Sequence, residues 1–213
     1  MGDFAIIRPK DDKSSRQASD WANDLIAKLK AAVHSEIDSV DDWSPANTTN
    51  ILASLSGKAD LVCYFGHGEE DRWLTSNSAT LDTGNVTGIK GQSAKGRAIV
   101  SIACKTSCKL GPAAITAGVK AWLGFTIKVK VIAPHNLLDP IGDAIVDGIA
   151  LLSKKGTMQQ ARDRLAANLD QLVTAYDSGK YAQHPEAEMG YFAAMSMRDH
   201  VVVNGNANFQ PLP

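Results

Sequence analysis

Two short runs constrain this chain more than anything else in it: LVCYF, Leu61 to Phe65, and AIVSIA, Ala98 to Ala103. A strand with one face in water alternates apolar and polar residues, because successive side chains point to opposite faces. These runs do not alternate; Ser101 is the one polar interruption in either. A strand apolar on both faces must be covered on both, and short buried strands of this kind belong to parallel sheets flanked by helices. The segment Ala121 to Ala133 (AWLGFTIKVKVIA) begins in the same way and then alternates, which predicts a buried strand running on into a half-exposed one.

The intervening segments read as the covering helices. Phe4 to Ile7 is a buried strand ended by Arg8-Pro9, and Ala18, Trp21, Ala22, Leu25, Ile26 and Leu29 then fall on one helical face, with Ser14 and Gln17 as an expected capping box. A weaker strand is expected around Ile37 to Val40. Ser44-Pro45 follows as cap and first turn of a helix carrying Ile51, Leu52 and Leu55. The polar stretch from Glu69 to Lys95 predicts surface loop with a hairpin, and a short helix is expected from Gly111-Pro112. Asp139-Pro140 caps a helix bearing Ile141, Ile145, Ile149 and Leu152, and Thr157 with Gln160 caps another bearing Ala161, Leu165, Leu169 and Leu172. A last helix around Pro185 to Met197 leads into a strand at Val201 to Val203. Strands alternating with helices predict a three-layer α-β-α sandwich around a mostly parallel sheet of roughly six strands, with residues 1–213 read as one domain.

Composition narrows the function classes. With 44% hydrophobic and 21% charged residues the chain is neither disordered nor a disulfide scaffold. Its 22 Lys+Arg against 23 Asp+Glu leave no electrostatic footprint for nucleic acid. Three cysteines, Cys63, Cys104 and Cys108, suit a reducing compartment. The N-terminus carries no signal-peptide pattern and no run approaches a membrane span, so a cytoplasmic location and no membrane partner are expected.

In open parallel sheets, sites form beyond the carboxyl ends of the strands. That rule selects His67, just past DLVCYF, and Cys104, just past AIVSIA. A cysteine nucleophile needs a base or a positive environment to raise its thiolate fraction, and a neighbouring histidine serves as base and later as proton donor. Gly66 and Gly68 flank the histidine, and the N–H groups of Gly68 and Cys104 are the expected oxyanion-hole donors. Taken alone, a strand-end cysteine is more often a small buried hydrophobe and a loop histidine more often a hydrogen-bonded surface group; it is the pairing that argues for catalysis. Cys63 is expected in the core, Cys108 as a loop residue or resolving thiol, and His34, His135, His184 and His200 as structural or exposed. Cys104 and Cys108 have no second cysteine pair or histidine at ligand spacing, so no metal and no cofactor are expected. Gly91 to Ala98 mimics the start of a phosphate-binding loop, but Arg97-Ala98 stands where lysine and a hydroxyl are needed and a strand follows instead of preceding. The acids Asp41, Asp42, Glu69 and Glu70 and the aromatic Trp73 are the candidate substrate-pocket residues; a solvated charge run is the plainer reading of the acids.

The stretches LVCYFGHG (Leu61 to Gly68) and IVSIACKTS (Ile99 to Ser107), followed by AAITAGVKAWLGFT (Ala113 to Thr126), KKGTMQQARDRL (Lys154 to Leu165) and HVVVNGN (His200 to Asn206), resemble the caspase-like (clan CD) cysteine peptidases, nearest their bacterial CHAT-type and gingipain-like branches. The resemblance implies a caspase-like sheet and peptide-bond hydrolysis through a thioester, with His67 as base and acid and Cys104 as nucleophile. It also implies a protein or peptide substrate, a bacterial source, a regulated proteolytic or defence role, and room for a regulatory partner protein. Ile102 departs from the pattern: some basic-specific relatives place an acid two residues before the cysteine. Two other readings stay open. One is a caspase-like interaction or scaffold domain with a silent dyad. The other is a flavodoxin-like or Rossmann-like domain, which would need a glycine-rich turn where Arg8 to Asp12 stands.

Overall fold

The computed structural model describes residues 1–42, 51, 55, 57–75, 78–88, 96–134, 136 and 138–212, and of Asp41 and Asp42 the backbone. Trp43, Ser44-Pro45, Leu52, Gly91 to Lys95 and His135 therefore lie outside the described residues.

The main sheet is built from β1 (Asp3–Pro9), β2 (Ser35–Glu36), β3 (Val40–Asp42), β4 (Leu61–Phe65), β8 (Ala98–Ile102), β9 (Ala121–Phe125) and β10 (Val201–Gly205). Its order is β10-β9-β8-β4-β1-β2, and β3 also pairs with β1. Because β2 pairs with the start of β1 and β3 with its end, the two share one edge position, and the sheet is six positions wide. All pairings are parallel except β10 on β9. The expected single strand at Ile37 to Val40 is thus a correction: Asp38 adopts a positive φ of 51°, which breaks the ladder, and the pairing residues lie on either side of it.

β4, β8 and β9 are buried at every position, and their side chains divide by parity into two cores. Phe4, Ile6, Leu61, Cys63, Phe65, Val100, Ile102, Leu123 and Phe125 face α1 (Lys13–Ala31), α3 (Pro140–Ala150), α4 (Met158–Asp177) and α5 (Ala187–His200). Ala5, Ile7, Val62, Tyr64, Ile99 and Trp122 face the other way, against Ile51, Leu55 and α2 (Leu110–Thr116). A small antiparallel sheet covers that second face: β5 (His67–Gly68), β6 (Arg72–Thr75) and β7 (Ser78–Asp82). It contributes Trp73 and Leu81 to the core.

Asp139 caps α3 ahead of Pro140, and Thr157 with Gln160 forms the capping box of α4. The cap of α1 differs from the expectation at Ser14 and Gln17. Asp12 accepts from the Ser15 N–H at 2.8 Å, and Ser15 Oγ accepts from the Asp12 N–H at 2.9 Å. Gln17 instead turns inward, its amide donating to Ile132 O and to Asp139. The alternating segment after β9 is not a strand either. Ile127, Val129 and Val131 pack on the core while Lys128 and Lys130 face solvent, but the chain leaves the sheet at Phe125 and makes no ladder. Among the described residues no helix is long and apolar enough to cross a membrane.

Candidate active site

β4 and β8 are adjacent and parallel, paired from Leu61↔Ala98 to Phe65↔Ile102, so both end at the same level. His67 leaves β4 after one glycine, and Cys104 leaves β8 after Ala103. The two loops are pressed together. The Gly66 N–H donates to Ile102 O at 3.3 Å, and a Cβ on Gly68 would lie 2.6 Å from Thr106 Cγ2 and 3.0 Å from Cys104 O. Any larger residue at position 68 would wedge the loops apart. His67 and Cys104 line the same cleft, of about 230 Å³, at this end of the sheet.

Each partner is positioned by its own contacts. His67 Nε2 lies 2.8 Å from Asp12 Oδ2, and a proton on Nε2 donated to that carboxylate leaves Nδ1 as the basic nitrogen. Burial raises the Asp12 pKa, but the Ser15 N–H and the charge and hydrogen bond of His67 outweigh it and hold the carboxyl below its ordinary range. The His67 carbonyl accepts from the Tyr64 hydroxyl at 2.9 Å, and the same hydroxyl lies 2.9 Å from Leu74 O. Tyr64 is wholly buried and stacks on Trp73 with ring centroids 4.2 Å apart. Trp73 Nε1 donates to Ser101 Oγ at 2.9 Å, and Ser101 Oγ lies 2.8 Å from Thr106 Oγ1. A continuous buried network thus runs behind the site from the histidine loop to the cysteine loop. It accounts for Ser101, the interruption in an otherwise apolar strand.

Cys104 is half-buried, and Lys105 after it takes a left-handed φ of 57°, which turns the chain sharply out of β8. The thiol donates to Val129 O over 3.8 Å. Burial pushes its pKa up, against the weaker opposing pull of the Val129 hydrogen bond and of Lys128 and Lys130. In this geometry burial disfavours the Cys104 thiolate. Cys63 is buried in the core, and burial drives its pKa far upward; Cys108 is exposed with its thiol toward Thr126 O.

The other pocket candidates separate. Trp73 does not line a cleft: it is fully buried behind the site, a correction whose cause is the folding of β6 and β7 over the sheet. Glu69 and Glu70 lie in a second depression that shares Cys104 with the first, but they are ion-paired there, Glu69 with Arg72 at 3.5 Å and Glu70 with Lys109 at 2.9 Å. Asp41 and Asp42 stand opposite Arg8 and Pro9 on the edge position, beyond β1, and their side chains lie outside the described residues. Two contributors are absent from the sequence reading. Asp12 could have been found by applying the strand-end rule to β1 as well; the segment 129–131, which forms one wall of the cleft, carries no such signal. His34 and His184 are buried with ring nitrogens on backbone groups, and Arg97 is buried with its guanidinium on Ala59 O and Gly57 O. Among the described residues no group of three His, Cys, Asp or Glu is gathered as a metal site.

The architecture is the caspase-like one, a mostly parallel six-position sheet between helices with the site at the carboxyl ends of its central strands. The chain is similar to the crystal structure of the Arg-specific cysteine proteinase gingipain R (RgpB), with a TM-score of 0.66, 17% identity, and 99% of this chain covered against 47% of that one. It is also similar to the complex of the RgpB pro- and mature domains from Porphyromonas gingivalis (0.67, 16%, 99% and 48%) and to a structure described only as a protease (0.61, 14%, 98% and 48%). The chain spans about half the length of each of these proteins, and at such identities the likeness is one of fold. No family profile matches the sequence, and no characterised protein matches it by sequence comparison.

Proposed function

We propose that the chain is a cysteine endopeptidase of the gingipain-like and CHAT-related kind, in which Cys104 is the nucleophile and His67 the base and acid. The observation that carries this reading is that both side chains line one cleft at the ends of adjacent parallel strands, with Asp12 behind the histidine. His67 Nδ1 takes the proton from Cys104 Sγ as the sulfur attacks the peptide carbonyl carbon. The oxyanion so formed accepts from the N–H groups of Gly68 and Cys104. As the C–N bond breaks, His67 returns the proton to the departing amine and leaves a thioester. His67 then takes a proton from water, the resulting hydroxide attacks the thioester, and Cys104 recovers its proton as the acid product leaves. Asp12 is a positioning residue that holds the imidazole in the useful tautomer.

A second reading has an observation of its own. The Cys104 thiol is engaged by Val129 O and its pKa is raised, as a silent or partner-gated dyad would have it. A regulatory protein that draws residues 127–131 aside would release it, in a regulated bacterial proteolytic or defence setting. Labelling with a thiol-reactive peptide electrophile separates the two readings. Modification of Cys104 that is lost in His67→Ala supports the peptidase; no modification, or modification indifferent to His67→Ala, supports the scaffold.

A further inference from the structure

We infer that the cleft beside Cys104 selects an uncharged, apolar side chain at the residue preceding the scissile bond, leucine, methionine or phenylalanine in type. This inference rests on the peptidase reading above and adds the substrate class to it.

The floor of the cleft is Ile102, Ala18 and Trp21, which are 1%, 4% and 2% exposed, and Val129 and Val131 form the wall opposite. Most of the polar atoms nearby are already committed, and the remaining hydroxyl of the lining, Ser14, is solvent-exposed. Trp21 Nε1 donates to Asp139 Oδ2 at 2.6 Å, and a Cβ on Gly142 would lie 2.1 Å from that nitrogen, so the indole's polar edge is wedged against the start of α3. What Trp21 offers the cleft is hydrocarbon. The Gln17 amide is held by Ile132 O and Asp139, away from the cleft. The Ser15 hydroxyl and N–H are both spent on the α1 cap. Asp12, the cap of α1, has one carboxylate oxygen on the Ser15 N–H and the other on His67.

Charge therefore finds no counterpart inside. Among the described residues that line this cleft none is acidic, and its one lysine, Lys130, is solvent-exposed. A guanidinium or ammonium group entering it would be desolvated beside Ile102 with no anion to meet, and a carboxylate would meet apolar walls. The acids of the neighbouring depression do not help, since Glu70 and Asp71 already pair with Lys109 and Arg72. Size agrees with chemistry: an apolar cavity of roughly 150 Å³ holds benzene, so one of about 230 Å³ open to the surface takes a branched aliphatic or aromatic side chain.

A set of fluorogenic peptides differing only at P1, read as kcat/KM, with matched peptidyl acyloxymethyl ketones read as intact-mass modification of Cys104, tests this. Leu, Met and Phe are expected to exceed Arg, Lys and Asp by about a hundredfold or more, the scale on which a site that cannot pair a polar group rejects it. Ala18→Leu fills the floor and should lower the rate with Leu and Phe by about ten- to two-hundredfold while sparing Ala. Ile102→Asp should bring in Arg and Lys; because that position is buried and the variant can fail to fold, the half-buried Val131→Asp is made alongside it with the same expectation. Faster turnover or labelling with Arg, Lys or Asp at P1, or a P1 profile unmoved in folded Ala18→Leu and Val131→Asp, overturns the inference and leaves the peptidase standing. Cys104 untouched by every ketone and no peptide cleaved overturns both together.

Discussion

Asp12 has two roles that one pair of substitutions pulls apart. Its Oδ1 caps α1 through the Ser15 N–H at 2.8 Å, and its Oδ2 holds His67 Nε2 at 2.8 Å. Asparagine caps a helix as well as aspartate does, whereas loss of the cap costs about 1 kcal/mol. The side chains of His67 and Asp12 are 40% and 54% exposed, so their ion pair adds at most about 1 kcal/mol. Asp12→Ala should therefore lose about 1–2 kcal/mol in urea unfolding, and Asp12→Asn, which keeps the cap, no more than the ion pair's ~1 kcal/mol. Activity should divide differently. Both variants remove the charge behind His67, and kcat should fall by about ten- to a hundredfold in each, a part of the 10²–10⁴ that positioned acid–base catalysis contributes. The pH dependence has a definite sign. The folded pKa of Asp12 lies below 3.8 because the Ser15 N–H and His67 outweigh burial, so the charge-dependent lead of the wild type over Asp12→Asn is present above 3.8 and disappears as pH falls through the lowered value. Unchanged kcat in Asp12→Asn, with full loss of stability in Asp12→Ala, would show that Asp12 is a helix cap and nothing more.

Three further outcomes follow from the same geometry. Tyr64→Phe leaves the His67 and Leu74 carbonyls without their buried donor, so urea unfolding should show a loss of about 1–3 kcal/mol together with reduced turnover; a loss below about 0.5 kcal/mol would count against the pinning role. Gly68→Ala forces its neighbours to move, since the new Cβ meets Thr106 Cγ2 at 2.6 Å, and a displacement near 1 Å at the dyad costs about a hundredfold in rate; Gly84→Ala, on an exposed turn, is the control, and equal activities would refute the wedge. In His67→Ala the alkylation of Cys104 by iodoacetamide should keep climbing as pH passes 9.0, because burial raises the thiol above that ordinary value; a plateau already reached by neutral pH would contradict it.

Much of the fold can be read directly from the residue pattern. A run apolar at every position, such as Leu61–Phe65, has no stable place except between two covering layers, and its parity assigns Cys63 to one core and Tyr64 to the other. The caps at Asp139-Pro140 and Thr157 with Gln160 are local, decided within one helical turn, and stand where the sequence puts them. At the start of α1 the residue pattern points to a Ser14 cap, and the structure uses Asp12 instead. Packing decided it, because Gln17 is needed at the interior contact with Ile132 O and Asp139 and is not free to close a capping box.

His67 and Cys104 were legible for a similar reason: each follows a strand that had to be buried, and parallel strands deliver their carboxyl ends to one edge. What the chain pattern could not show is everything that depends on register and on long-range neighbours. Trp73 sits in a polar stretch that reads as loop, and only the docking of β6 and β7 over the second core buries its ring and brings its N–H to Ser101. The alternation of Ile127 to Val131 is real in burial but carries no strand, since β10 covers the edge of β9 only as far as Phe125 and the chain then turns across the cleft. The sequence by itself placed a cysteine and a histidine at the carboxyl ends of two buried strands, because hydrophobic patterning marks such strands, and the pairing of β4 with β8 then brings the two ends together. Tertiary structure decided that Asp12 would hold the histidine, that Val129 would meet the thiol, and that Ile102, Ala18 and Trp21 would line the space between, because each of those contacts joins segments whose meeting no local pattern encodes.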